Sequence, residues 1–181
     1  MAKDSHPGLS LREREREYAR GMATPEQRLI ELGLVLPAAA APVAAYIPTR
    51  RVGNLLYVSG QIPLRDGKLI ATGRVPGAVS LELARECARQ CALNGLAAAR
   101  AAMGSLDRVV QVVRVGCFVA CEDGFGEQPK VANAASEVLV EVFGEAGRHA
   151  RAAVGTNALP LNVPVEVEFL FEVDGSSEPR R

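Results

Sequence analysis

The chain has 181 residues, of which 48% are hydrophobic and 23% charged, enough apolar mass for one domain with a tail. Lys+Arg and Asp+Glu both number 21, so the formal charge is zero, which argues against a surface built for nucleic acid or an anionic membrane. Aromatic residues make up only 4% and Trp is absent, which argues against a platform for stacking single-stranded bases.

Residues 1–21 alternate charge from Arg12 to Arg20 without an apolar stripe and read as a charged, disordered extension. No apolar segment near the start resembles a secretory signal, and the run Leu34–Ile47 is broken by Pro37 and Pro42. A cytoplasmic location with no membrane association is expected. Thr24-Pro25-Glu26-Gln27 is a helix start, with Thr as N-cap, Pro at the first helical position and Gln at the third. That short helix and an Ala/Pro-rich linker fill residues 22–42.

Strand-like runs follow at Ala45–Arg50, Leu55–Gln61 and Lys68–Thr72, with Gly53-Asn54 as the first turn. Ser80 caps a long helix, Leu81–Met103, closed by Gly104. Arg108–Cys121 is a long Val-rich strand. Pro129 opens a second helix that Gly144 ends. His149–Gly155 and Val165–Val173 are the last strands, the second alternating Val and Phe with Glu166, Glu168, Leu170 and Glu172. The order predicts an α+β fold, a mixed sheet with two helices packed on one face.

The usual catalytic signatures are missing: no Gly-rich phosphate loop, no HExxH and no GxSxG. Cys87, Cys91, Cys117 and Cys121 lie in apolar helix- and strand-like segments and read as buried free thiols. Cys117 and Cys121 stand about 13 Å apart on a regular strand, and the only histidines are His6 and His149, so no metal is expected. One pair carries chemistry. If the last two strands form an antiparallel hairpin centred near Ala158–Leu159, Arg151 faces Glu166. The plain interpretation of that pair is a cross-strand ion pair, and the functional one is an Arg that grips a carboxylate while Glu positions a water.

The run Gly53-Asn54-Leu55-Leu56-Tyr57-Val58-Ser59-Gly60-Gln61-Ile62-Pro63 resembles the signature of the RidA/YjgF family, also known as endoribonuclease L-PSP. Asn94-Gly95-Leu96, the strand Val109–Val119, Val131-Ala132-Asn133, Ala150-Arg151 and Val163-Pro164-Val165-Glu166-Val167-Glu168 follow in family order. The segment Val142–Arg151 looks closest to a longer YjgF-like branch. The similarity spans roughly 43–173, which places the domain at residues 43–175 and a short C-terminal tail at 176–181.

The resemblance implies a chorismate-mutase-like fold and a homotrimer with pockets between subunits. It implies hydrolysis of reactive 2-enamino or 2-imino acids to 2-keto acids and ammonia, with no cofactor. Arg151 matches the family arginine that binds the substrate carboxylate, and Glu166 the acid that orients the attacking water. Tyr46 and Asn133 match pocket residues, and Gly60 the glycine after the signature serine. Ala152 and Ala153 stand where typical members carry Ser or Cys, and Gly155 where an acidic residue is frequent. Those departures leave a second reading open, a non-catalytic binder or regulator for a small carboxylate-bearing metabolite. An endoribonuclease is disfavoured by the zero net charge and the scarcity of aromatics.

Overall fold

A computed structural model of the chain describes residues 23–39 and 46–175. The expected N-terminal extension, the end of the Ala/Pro linker and the C-terminal tail lie outside these residues. The elements are α1 (Pro25–Glu31), β1 (Thr49–Val52), β2 (Leu55–Gln61), β3 (Leu64–Arg65), β4 (Lys68–Leu69), α2 (Leu81–Met103), β5 (Val109–Ala120), α3 (Gln128–Phe143), β6 (Ala150–Thr156) and β7 (Val165–Val173). The fold is α+β, and α2 and α3 cover one face of a mixed five-stranded sheet.

Strand order is β1-β2-β7-β5-β6, with β5 and β6 parallel and every other pair antiparallel. This overturns the expected hairpin of the last two strands. The chain returns from β5 through α3, and a return through a crossover helix makes the next strand parallel to the one it left. β7 then pairs on the other side of β5, so β5 separates β6 from β7. The connection containing the turn Pro160–Asn162 carries the chain across two strand spacings, about 10 Å. Alternation in Val165–Val173 shows that one face of the strand is buried, but it does not name the neighbouring strand.

The helices form where the sequence signals them. The Thr24 hydroxyl accepts from the Gln27 backbone and the Gln27 side chain accepts from the Thr24 backbone, a complete capping box. Ser80 caps α2 through the Leu83 amide, and Gly104 ends it in the left-handed region at φ 81°. Small side chains, Ala84, Ala88, Ala92 and Ala99, let α2 lie close on the sheet. At Gly95 the Phe169 ring fills the place of a side chain, since a β-carbon there would stand 2.7 Å from its Cδ2. Arg85 with Glu137 (3.2 Å) and Arg89 with Glu141 (3.6 Å) bridge α2 to α3 at the surface.

Between β2 and α2, the short strand expected at Lys68–Thr72 covers Lys68–Leu69 and pairs with β3, which was not foreseen, in a hairpin held by a side-chain relay. Arg65 Nε donates to Gln90, Gln90 donates to Asn94, and Asn94 donates to the Ile62 and Leu64 carbonyls. Gln90 and Asn94 thus carry the polar side of an apolar helix. α1 also belongs to the packed body: Leu29 is buried, and Glu26 receives the Leu106 amide while donating its own backbone N–H to Asp107.

All four cysteines are free and buried. Burial pushes the Cys87 thiol up to about 11 and the Cys117 thiol up to about 12, and it raises Cys91 well above the ordinary range. These three groups are packing atoms, not nucleophiles.

Candidate functional site

Residues paired across neighbouring strands share a face of the sheet. Arg151 pairs with Val115 and Val115 with Phe169, which puts Arg151 on the helix-covered face at the β6 edge. Glu166 pairs with Phe118 and Phe118 with Val154, which puts Glu166 on the open face. The two residues expected to face each other therefore lie on opposite sides of the sheet. The candidate residues divide into two groups, one around Arg151 and one around Gly60.

The first group is Arg151 with Asn133. Arg151 Nη1 donates to Asn133 Oδ1 at 2.9 Å and to Ser136 Oγ at 3.0 Å. Asn133 and Ser136 are three residues apart on α3, so both project from one helix face. Nη1 is committed, while Nε and Nη2 have no protein partner among the described residues. Those two donors form the fork that matches a carboxylate. Ser136 was not foreseen; its only signal is the three-residue spacing from Asn133.

Four residues farther along β6, about 13 Å on a regular strand, Gly155 leaves room for Gln128, whose Nε2 would stand 2.9 Å from a β-carbon at that position. The Gln128 amide donates to the Phe125 carbonyl at 2.6 Å. An acidic side chain in place of Gly155 would collide with this amide.

The second group is Tyr46, Gly60 and Glu166. The β2–β7 register shifts between Val58 and Gln61, so Ser59-Gly60 leaves the regular ladder. The Ser59 hydroxyl fixes this irregular stretch on the Ile47 and Pro48 carbonyls, both at 3.0 Å. A cavity of about 450 Å³ opens here toward α2, with Tyr46, Ser59, Gly60 and Asn94 in its wall but not Glu166. The Glu166 carboxyl lies directly against Gly60, where a β-carbon would stand 2.7 Å from Cδ. Burial, reinforced by the neighbouring Glu168 charge, raises the Glu166 pKa above the ordinary carboxylate value. Arg114 pairs with Glu168 at 3.0 Å, while Glu166 has no ion pair or hydrogen bond among the described residues. A half-buried, uncommitted carboxylate with a raised pKa suits a general base.

Among the described residues no group of three or more His, Cys, Asp or Glu side chains is placed to hold a metal. No helix among them is long and apolar enough to cross a membrane.

The family model "YjgF/chorismate mutase-like, putative endoribonuclease" matches residues 26–173. The chain belongs to this family. The match reaches back to Glu26, so the capped helix α1 lies within the family region that the sequence reading began near residue 43. Protein TCP17 of Trypanosoma cruzi is 44% identical over 147 residues, covering 81% of this chain and 92% of that protein. A solved structure of Atu1372, a protein of unknown function from Agrobacterium tumefaciens, is 45% identical with a TM-score of 0.78, covering 88% of this chain and 99% of that one. A 2-iminobutanoate/2-iminopropanoate deaminase of Dermatophagoides farinae is 30% identical, covering 76% of this chain and 93% of that protein.

Proposed function

We propose that this YjgF-family protein hydrolyses small 2-imino or 2-enamino acids to 2-keto acids and ammonia. The observation that carries the proposal is the Arg151 guanidinium. It is anchored through Nη1 on Asn133 and Ser136, and its Nε and Nη2 donors remain free for a planar anion. A substrate carboxylate seated on that fork fixes the adjacent C=N carbon within a bond or two of the arginine.

Glu166 supplies the second requirement, a base for water. Water adds to the C=N carbon and gives a proton to the Glu166 carboxylate. That proton and then the proton of the new hydroxyl pass to the nitrogen, and the C–N bond breaks as the C=O bond forms, leaving the keto acid and ammonia. The reading needs no cofactor. It is supported by the relative that bears the deaminase name, at 30% identity.

Because Arg151 and Glu166 lie on opposite faces of one sheet, one substrate meets both only if two copies share it. We therefore place the active site between subunits of a homotrimer, with Arg151 and Asn133 from one copy and Tyr46, Gly60 and Glu166 from its neighbour. The open sheet face fits such an assembly, since Val52, Tyr57 and Val154 are exposed across it. A cytoplasmic setting, where such intermediates arise, is part of this reading.

The test is to generate 2-aminoacrylate in situ and follow keto-acid release. Acceleration by the wild-type chain and its loss in Arg151→Ala support the proposal. Release at the buffer rate, with keto acids bound in calorimetry, would instead assign a metabolite-binding role.

A further inference from the structure

His149 bonds Ser136 on the side away from Arg151, and the deaminase reading, which uses Ser136 only to anchor Arg151, leaves His149 without a role. His149 Nδ1 lies 2.6 Å from the Gly147 carbonyl, and Nε2 lies 3.0 Å from Ser136 Oγ. A carbonyl only accepts, so Nδ1 carries the proton of the neutral ring and Nε2 accepts from the Ser136 hydroxyl. Burial lowers the His149 pKa, and the Arg151 charge lowers it further against the opposing Gly147 bond, so the neutral ring prevails at neutral pH.

Arg151 Nη1 donates to the same Ser136 oxygen at 3.0 Å. The oxygen thus has a base on one side and a cation on the other, which favours charge developing on it. Ser136 is half-buried and opens into a shallow groove of about 330 Å³ along α3, shared with Asn133 and Val140. The acidic rim of that groove is offset, since Glu137 pairs with Arg85 and Glu141 with Arg89.

We propose that Ser136, His149 and the Gly147 carbonyl form a nucleophilic site that accepts an acyl group from a small activated ester. Ser136 Oγ attacks the acyl carbon and its proton passes to His149 Nε2. The tetrahedral oxyanion forms next to the Arg151 guanidinium. The bond to the leaving alkoxide breaks, and that oxygen takes the proton from Nε2. Water, deprotonated by the same ring, then attacks acyl-Ser136 and releases the acid, so ester and water give acid and alcohol. The Gly147 carbonyl orients the ring as a third member does in serine hydrolases. A purely structural Ser136–His149 contact, tying the chain before β6 to α3, predicts no such chemistry.

The experiment uses the full chain with a fluorophosphonate probe and, separately, p-nitrophenyl acetate. The expected result is a single adduct that peptide mass mapping places on Ser136, absent in Ser136→Ala. Nitrophenol release should fall at least tenfold in Ser136→Ala and in His149→Gln, with circular dichroism showing that both variants are folded. An unlabelled Ser136 in the folded wild type, or nitrophenol release unchanged in Ser136→Ala, overturns the proposal.

Discussion

The Glu166 carboxyl group lies against Gly60 in the space a side chain would need, with Cδ 2.7 Å from where a β-carbon would stand. Gly60 is not held in the left-handed region, so its backbone accepts alanine and only the side-chain space is at issue. Gly60→Ala should therefore push Glu166 out of position and leave the fold intact. Keto-acid release should fall tenfold or more, with a melting temperature close to wild type. A fall in both would mark Gly60 as a packing residue alone.

Arg151 offers a fork where lysine offers a point charge. Hydrogen bonds to a charged group are worth about 1.5–3 kcal/mol each, so losing both donors of the fork in Arg151→Ala should weaken keto-acid binding by roughly a hundred-fold or more. Arg151→Lys should recover little of this, because it loses both the fork and the Nη1 anchor on Asn133 and Ser136. Titration calorimetry with pyruvate and 2-oxobutanoate measures both.

The raised Glu166 pKa sets a pH profile. A base works in its ionised form, so the rate should fall as pH drops through the Glu166 pKa. Burial and the Glu168 charge both raise that pKa, so the fall begins at a higher pH than an ordinary carboxylate would give. Removing the Glu168 charge in Glu168→Gln relieves one of these causes and should move the inflection of kcat/KM to lower pH. An inflection that moves upward or stays in place contradicts the assignment of Glu166.

Core packing gives a prediction independent of chemistry. A β-carbon at Gly95 would press on the Phe169 ring, which itself stacks on Phe171 with centroids 5.9 Å apart. Gly95→Ala gains helix propensity but overpacks a filled core, an effect of about 1–3 kcal/mol. The mutant should unfold at lower urea than wild type.

The element pattern is legible in the sequence where the signals are local. Thr24 and Ser80 mark helix starts through their own hydroxyls, and Gly104 marks a stop through its φ. Val165–Val173 shows its buried face through strict alternation. The neighbour of each strand is not legible in this way, because it depends on the crossover through α3 and on which strand is apolar enough to sit centrally. The hairpin expected around Ala158–Leu159 failed for that reason, and with it the idea that Arg151 and Glu166 meet within one chain. The short hairpin β3–β4 is held by Arg65, Gln90 and Asn94, residues distant in sequence whose polarity alone gives no register. At the site, only the family resemblance, and no local pattern, proposes Arg151, Asn133, Tyr46, Gly60 and Glu166. Ser136 emerged only once β6 had been placed beside α3.

Arg151 and Glu166 acting on one substrate from two copies is the central claim, and mixed oligomers of two inactive variants test it. Arg151→Ala and Glu166→Gln chains, refolded separately, should each release keto acid at the buffer rate. Refolded together in equal amounts, they should form oligomers in which about a quarter of the interfaces carry both wild-type residues, and activity should return in that proportion. A mixture no more active than either variant alone would contradict a site shared between copies.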